Sequence, residues 1–238
     1  MTASLSHPRL RPDRRIRECL EVTAPEVVVA RPRLRGVIHA CSCPVFIVLF
    51  GWLIAEADGG ADRLAVAVYA FGVTAMLGVS AVYHSGRFSA EGMRRMKRVD
   101  HSTILLAIGG TYTAVTALGL TGSARTRMLI IIWLATVIGV AVRMLWIGAP
   151  YWVASVVYLI VGWLMVIDLG SYLDALSGSQ LGLIAAGGVL YTIGAVIYAL
   201  HKPNPWPASF GYHEIFHALV VGAALVHYAA VLGLARAR

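Results

Sequence analysis

The chain has 238 residues, of which 58% are hydrophobic and only 13% charged, and its formal net charge is +8. A mean hydropathy of +0.74 lies far from the soluble average and excludes an ordinary water-soluble globular domain. The positive charge does not point to nucleic acid, because the basic residues cluster at the ends of apolar runs, where they act as topology signals. The composition predicts an all-α, multi-pass membrane protein.

Residues 1–35 carry Arg9, Arg11, Arg14, Arg15, Arg17, Arg31, Arg33 and Arg35 among several prolines, with no apolar run long enough for a signal sequence. They read as a basic cytoplasmic tail, largely disordered near its start. Residues 36–238 form the membrane domain. Apolar segments at about 36–56, 62–84, 101–121, 127–147, 151–170, 181–201 and 212–234 predict seven transmembrane helices. Cys41 and Cys43, two apart at the start of the first segment, point to nearly opposite sides of a helix and suit packing rather than chelation.

Arginine placement sets the orientation. The tail and the connection SGRFSAEGMRRMKRV (85–99) are basic and belong on the cytoplasmic side, while the turn with Glu56, Asp58 and Asp62 is acidic and belongs outside. Seven spans then place the carboxyl terminus outside, where Arg236 and Arg238 fit poorly. Gly109-Gly110 and Gly187-Gly188 are expected to let helices approach closely. Trp146, Tyr151 and Trp152 sit at span ends, where an aromatic belt explains them.

In the last segment, His213 and His217 lie four apart, on one helical face, at the mouth of a run from Ala218 to Leu234 that has no Asp, Glu, Lys or Arg. Ionisable groups at membrane depth usually mark a site, and this spacing can hold a divalent metal. On the predicted topology the end of the second span, with Ser80 and His84, and the start of the third, with Asp100, share the cytoplasmic side with that pair. Three neutral imidazoles are the ligand set of an open zinc site, with a carboxylate or hydroxyl to orient a water. Asp100 is also expected to cap the third helix.

HEIFH spells the HExxH of zinc proteases, in which Glu214 would be the general base. Glu214 is rotated off the histidine face, and a solvent-facing interfacial position is expected for it. His227, ten residues after His217, lies about 15 Å deeper and is expected to be a hydrogen-bonded interior histidine. His39 has no evident partner of its own and His101 points to a different side of its helix from Asp100, though either could stand behind a metal ligand; Arg143 is expected to snorkel toward lipid phosphates.

The motifs SAVYHS, DHSTILLAIGGTYT, GGVLYTIGAVIYAL and HEIFHALVVGAALVHY occur in this order, and from about residue 33 onward the chain resembles the haemolysin III branch of the progestin and adipoQ receptor family. The resemblance implies a seven-helix bundle with a cytoplasmic amino terminus and a zinc ion held by histidines of the second and seventh helices, here His84, His213 and His217. Ser80 and Asp100 fall on the family's water-linked serine and aspartate. Adiponectin receptors of that family are linked to ceramide hydrolysis, so the resemblance favours a zinc-dependent hydrolase of membrane lipid amides, in a plasma-membrane setting. A receptor or membrane regulator with structural zinc, and a haemolysin-like pore, are the alternatives. Membrane lipids, including anionic headgroups near residues 86–98, are the expected partners; nucleic acid is not, and the sequence is silent on oligomeric state.

Overall fold

The computed structural model describes residues 32–146, 148 and 150–238; most of the arginine-rich tail lies outside them. The extended elements of the described residues are all helical: α1 (Val37–Glu56), α2 (Gly59–Ser85), α3 (Ala90–Gly119), α4 (Gly122–Leu145), α5 (Tyr151–Gly162), a 3-10 turn (Leu164–Asp168), α6 (Leu169–Ala175), α7 (Gly178–Leu200) and α8 (Tyr212–Arg236). Seven segments are long and apolar enough to cross a bilayer, the fifth comprising α5, the 3-10 turn and α6. The expected all-α, seven-span architecture is what the chain adopts.

Local chemistry sets the helix ends. The Ser89 hydroxyl accepts from the Gly92 amide to start α3, and Ser177 with Gln180 forms a reciprocal capping box on α7. Ser89 therefore corrects one expectation: α3 begins ten residues before Asp100, so Asp100 lies inside the helix and does not cap it. Much of the basic connection is its first turns, where Arg95 pairs with Glu91 one turn away. The break in the fifth span also has a local cause. Tyr112 of α3 donates its hydroxyl to Gly162 O at 2.9 Å and accepts from Met165 N at 2.8 Å, satisfying backbone groups that the interrupted helix releases into an apolar medium.

Four helices close a ring. α1 packs on α2 and α8, and α3 packs on α2 and α8, whereas α2 and α8 are not among the closely packed pairs of the described residues. Gly72 and Gly110 permit the tight α2–α3 contact: a Cβ on Gly72 would lie 2.6 Å from Leu106 O, and one on Gly110 2.8 Å from Val68 O. Both obstacles are backbone, which cannot rotate away. Gly110→Val is expected to destabilise the bundle by about 1–3 kcal/mol, as overpacking does, measured as a lower midpoint of thermal unfolding in detergent. Gly187 and Gly109 likewise abut the His227 ring and Thr136. Trp146 and Trp152 are exposed, as a lipid-facing belt requires.

At the end of the bundle remote from the metal candidates, Arg236 reaches Glu56 at 3.0 Å and Arg238 reaches Asp62 at 3.2 Å. The two carboxyl-terminal arginines that looked misplaced are thus neutralised by the acidic α1–α2 turn.

Candidate metal centre

His84 occupies the last turn of α2, and His213 and His217 the first turns of α8, so the ring brings them together at one end. Their ligand nitrogens all lie within 4.8 Å of one another, and Nε2 of His84 is 3.2 Å from Nε2 of His213. Ring centroids are separated by 4.6 Å (His84–His213), 5.1 Å (His84–His217) and 4.6 Å (His213–His217), at inclinations of 58–81°. Two imidazoles on one tetrahedral zinc, at roughly 2.0–2.1 Å each, place their nitrogens about 3.3 Å apart. The spacing fits, the donors are the right type, and no carboxylate or thiol among the described residues joins the cluster. Three donors leave a fourth tetrahedral position for another ligand.

Asp100 and Ser80 are both buried and joined by a hydrogen bond from the serine hydroxyl to the carboxylate. Ser80 lies one turn deeper than His84 on the same face of α2, so α2 carries both a metal-type donor and the anchor of the carboxylate. Asp100 is not itself within the ligand cluster, which suits a group that acts on something bound there rather than on the ion.

His39 is one of three sequence expectations that the site revises. It is 2% exposed and stacks on His217 with centroids 3.8 Å apart and planes 12° apart. α1 supplies this contact because it packs on both α2 and α8 in the ring, a tertiary relation that a lone histidine in a sequence does not reveal.

Glu214 is fully buried, not solvent-facing. It accepts from Gly211 N at 2.8 Å, capping α8, and from Arg35 Nε at 2.6 Å. The segment before α1 is held there by further bonds, Arg33 N to Ala208 O at 3.1 Å and Leu34 N to Ser209 O at 3.3 Å. Gly36, at φ 82°, lies where a Cβ would strike that of His84 at 2.7 Å. A carboxylate already used by a cap and an ion pair is poorly placed to serve as the general base of an HExxH site.

Arg143 does not snorkel. It belongs to the buried stripe Met128, Ile132, Thr136, Gly139, Arg143 of α4, whose three- and four-residue steps keep one face on the bundle interior. That face carries the guanidinium to Nδ1 of His101. The deeper His227 is, as expected, an interior histidine bonded to Ile184 O at 3.1 Å. Cys41 and Cys43 are free thiols.

Comparison with known proteins identifies the family. The family described as "Haemolysin-III related" matches residues 28–228. The chain is 29% identical over 199 residues to "Hemolysin-3 homolog" of Bacillus subtilis (strain 168), covering 83% of this chain and 88% of that one. It is 28% identical over 206 residues to "Hemolysin-3" of Bacillus cereus, covering 86% and 90%. A shorter stretch of 62 residues is 42% identical to "Adiponectin receptor protein" of Drosophila melanogaster, 24% of this chain and 14% of that one. With a family match over residues 28–228, the chain, itself carrying seven membrane-length helices, belongs to the haemolysin III branch of the progestin and adipoQ receptor family.

Proposed function

We propose that this membrane protein is a zinc-dependent hydrolase of lipid amides of the ceramide class, with His84, His213 and His217 as the zinc ligands. The convergence of three imidazoles beside a buried, serine-anchored carboxylate is the observation that carries the reading. Zinc held there by the three imidazoles would supply Lewis acidity. Asp100 takes up the proton of the attacking water on its carboxylate and returns it to the departing amine nitrogen as the C–N bond breaks and the fatty acid forms. Ser80 holds that carboxylate in place and is a positioning residue. Burial keeps bulk water from competing, and a lipid arriving sideways keeps its chains in the bilayer while its amide reaches the polar end of the ring.

The amino terminus is placed in the cytoplasm and the carboxyl terminus outside, in the plasma membrane, on the strength of the basic tail and the basic start of α3. Pairing of Arg236 and Arg238 with acids removes the one charge pattern that argued otherwise. Exposed Arg94 on the cytoplasmic turns of α3 suits anionic headgroups.

A second reading has its own support. Because α2 and α8 are not closely packed pairs, an ion shared by His84, His213 and His217 would staple them, as structural zinc does in a receptor or membrane regulator. The pore reading finds less: Val66, Leu77 and Val220 of α2 and α8 are buried in one continuous apolar core. Asp100→Ala separates the first two. Zinc content unchanged with lipid-amide turnover lowered about 100- to 10,000-fold supports hydrolysis; zinc in both proteins with turnover in neither supports the staple.

A further inference from the structure

The groups around Arg143 lie outside the metal cluster and take no part in the water chemistry above. Arg143 is 2% exposed and comes from α4; a terminal nitrogen of its guanidinium bonds Nδ1 of His101 on α3. Tyr158 of α5 completes the arrangement, its hydroxyl bonding the guanidinium and donating to the His101 carbonyl at 3.3 Å. None of the ion pairs among the described residues involves Arg143. Three helices therefore spend a buried cation, unusually expensive without an acid, on one imidazole edge.

The consequence for that imidazole is specific. A guanidinium has donors only, so Nδ1 of His101 must accept, and the ring proton then resides on Nε2. A neighbouring charge that never dissociates prevents the exchange of tautomers that a free histidine undergoes. With Nδ1 turned to Arg143 of α4, Nε2 lies on the other edge of the ring, away from that helix. His101 also directly follows Asp100, so the two polar groups leave α3 at one level on different sides.

We propose that Arg143 and Tyr158 lock His101 as a fixed Nε2–H donor, and that this donor recognises the acyl oxygen of the ligand at the His84–His213–His217 centre. The inference rests on the N-acyl lipid reading for the identity of the ligand and adds the group that selects its carbonyl end. A locked neutral donor needs no reorganisation when the ligand arrives, and it favours an oxygen acceptor over any cationic or N–H-bearing group at that position.

Two measurements on the zinc-loaded full chain in detergent test it. In protein with 15N-labelled histidine, assigned by the His101→Gln spectrum, His101 should carry its proton on Nε2, and Arg143→Met should yield mixed tautomers. A wild-type ring protonated on Nδ1, or on both nitrogens, overturns the lock. The second measurement is binding of palmitate, the kind of acyl product the proposed reaction releases. His101→Phe, which fills the ring volume without a donor, should weaken palmitate about 10- to 100-fold at unchanged zinc content. His101→Gln, whose amide nitrogen reaches the Nε2 position, should restore most of the affinity. His101→Asn, whose nitrogen stops near the Nδ1 position, should not, and this pair decides the matter if the phenylalanine variant does not fold. Equal affinity in Gln and Asn variants, wild-type affinity in His101→Phe, or no palmitate binding by the wild type overturns the proposal. Palmitate binding that depends on His101, in a protein that turns over no lipid amide, upholds this inference while refuting the hydrolase.

Discussion

Replacing His217 with alanine is expected to strip the protein of zinc while leaving the seven-helix bundle folded. His217 is 2% exposed and contributes one of the three nitrogens of the cluster, so the variant retains only His84 and His213 of that ligand set. Loss of an outer partner typically lowers metal affinity by roughly 10–100-fold, and loss of a ligand should exceed that. The stacked His39 ring loses its face-to-face neighbour but stays held by α1. Dialysis against a competing chelator followed by elemental analysis checks the affinity. A second readout comes from linkage: an ion that binds only the folded state stabilises it, so a chelator should lower the unfolding midpoint of the wild type and leave His217→Ala unmoved.

The other large effect is expected at Arg35. Its guanidinium, 20% exposed, meets a Glu214 carboxylate that is 1% exposed. Arg35→Met leaves that carboxylate buried without its cation, a change that typically costs about 3–5 kcal/mol. Because the pair ties the segment before α1 to the first turn of α8, the loss should also loosen the ligand helix. Thermal unfolding in detergent measures it. Adding Glu214→Gln to Arg35→Met should recover much of the stability, since the amide oxygen can still accept from Gly211 N and no charge remains buried. Glu214→Gln alone also separates cap from catalyst. A structural Glu214 leaves turnover largely intact, whereas an HExxH general base would take most of the turnover with it.

The trio was legible because each part obeys a local rule. His213 and His217 are one helical turn apart, His84 sits four residues past Ser80, and counting spans puts all of them at one end of the bundle. The span count survived even where the fifth span is broken, since length and hydropathy do not depend on how a segment is wound. What the chain order concealed were relations between helices that are distant in sequence. Arg35 looked like one more topology arginine, and only the folded ring shows it 179 residues away from its partner Glu214. Its place near a span end points Arg143 to lipid, whereas its helical phase, shared with Thr136 and Gly139, puts it inside. Nothing in the sequence singles out Tyr158, whose role depends on α5 reaching back to α3. Asp100 resembles a cap in the sequence because hydropathy marks where a membrane segment starts, while hydrogen bonding at Ser89 marks where the helix starts.

The central claim is that His84, His213 and His217 together hold one zinc ion. X-ray absorption at the zinc edge on the purified, dialysed protein addresses it directly. If it is right, the protein carries one zinc per chain with a first shell of nitrogen and oxygen at roughly 2.0–2.1 Å, multiple-scattering features of three imidazoles, and no sulfur. A protein that retains no zinc after loading, or a shell containing sulfur or fewer than three imidazoles, would contradict it.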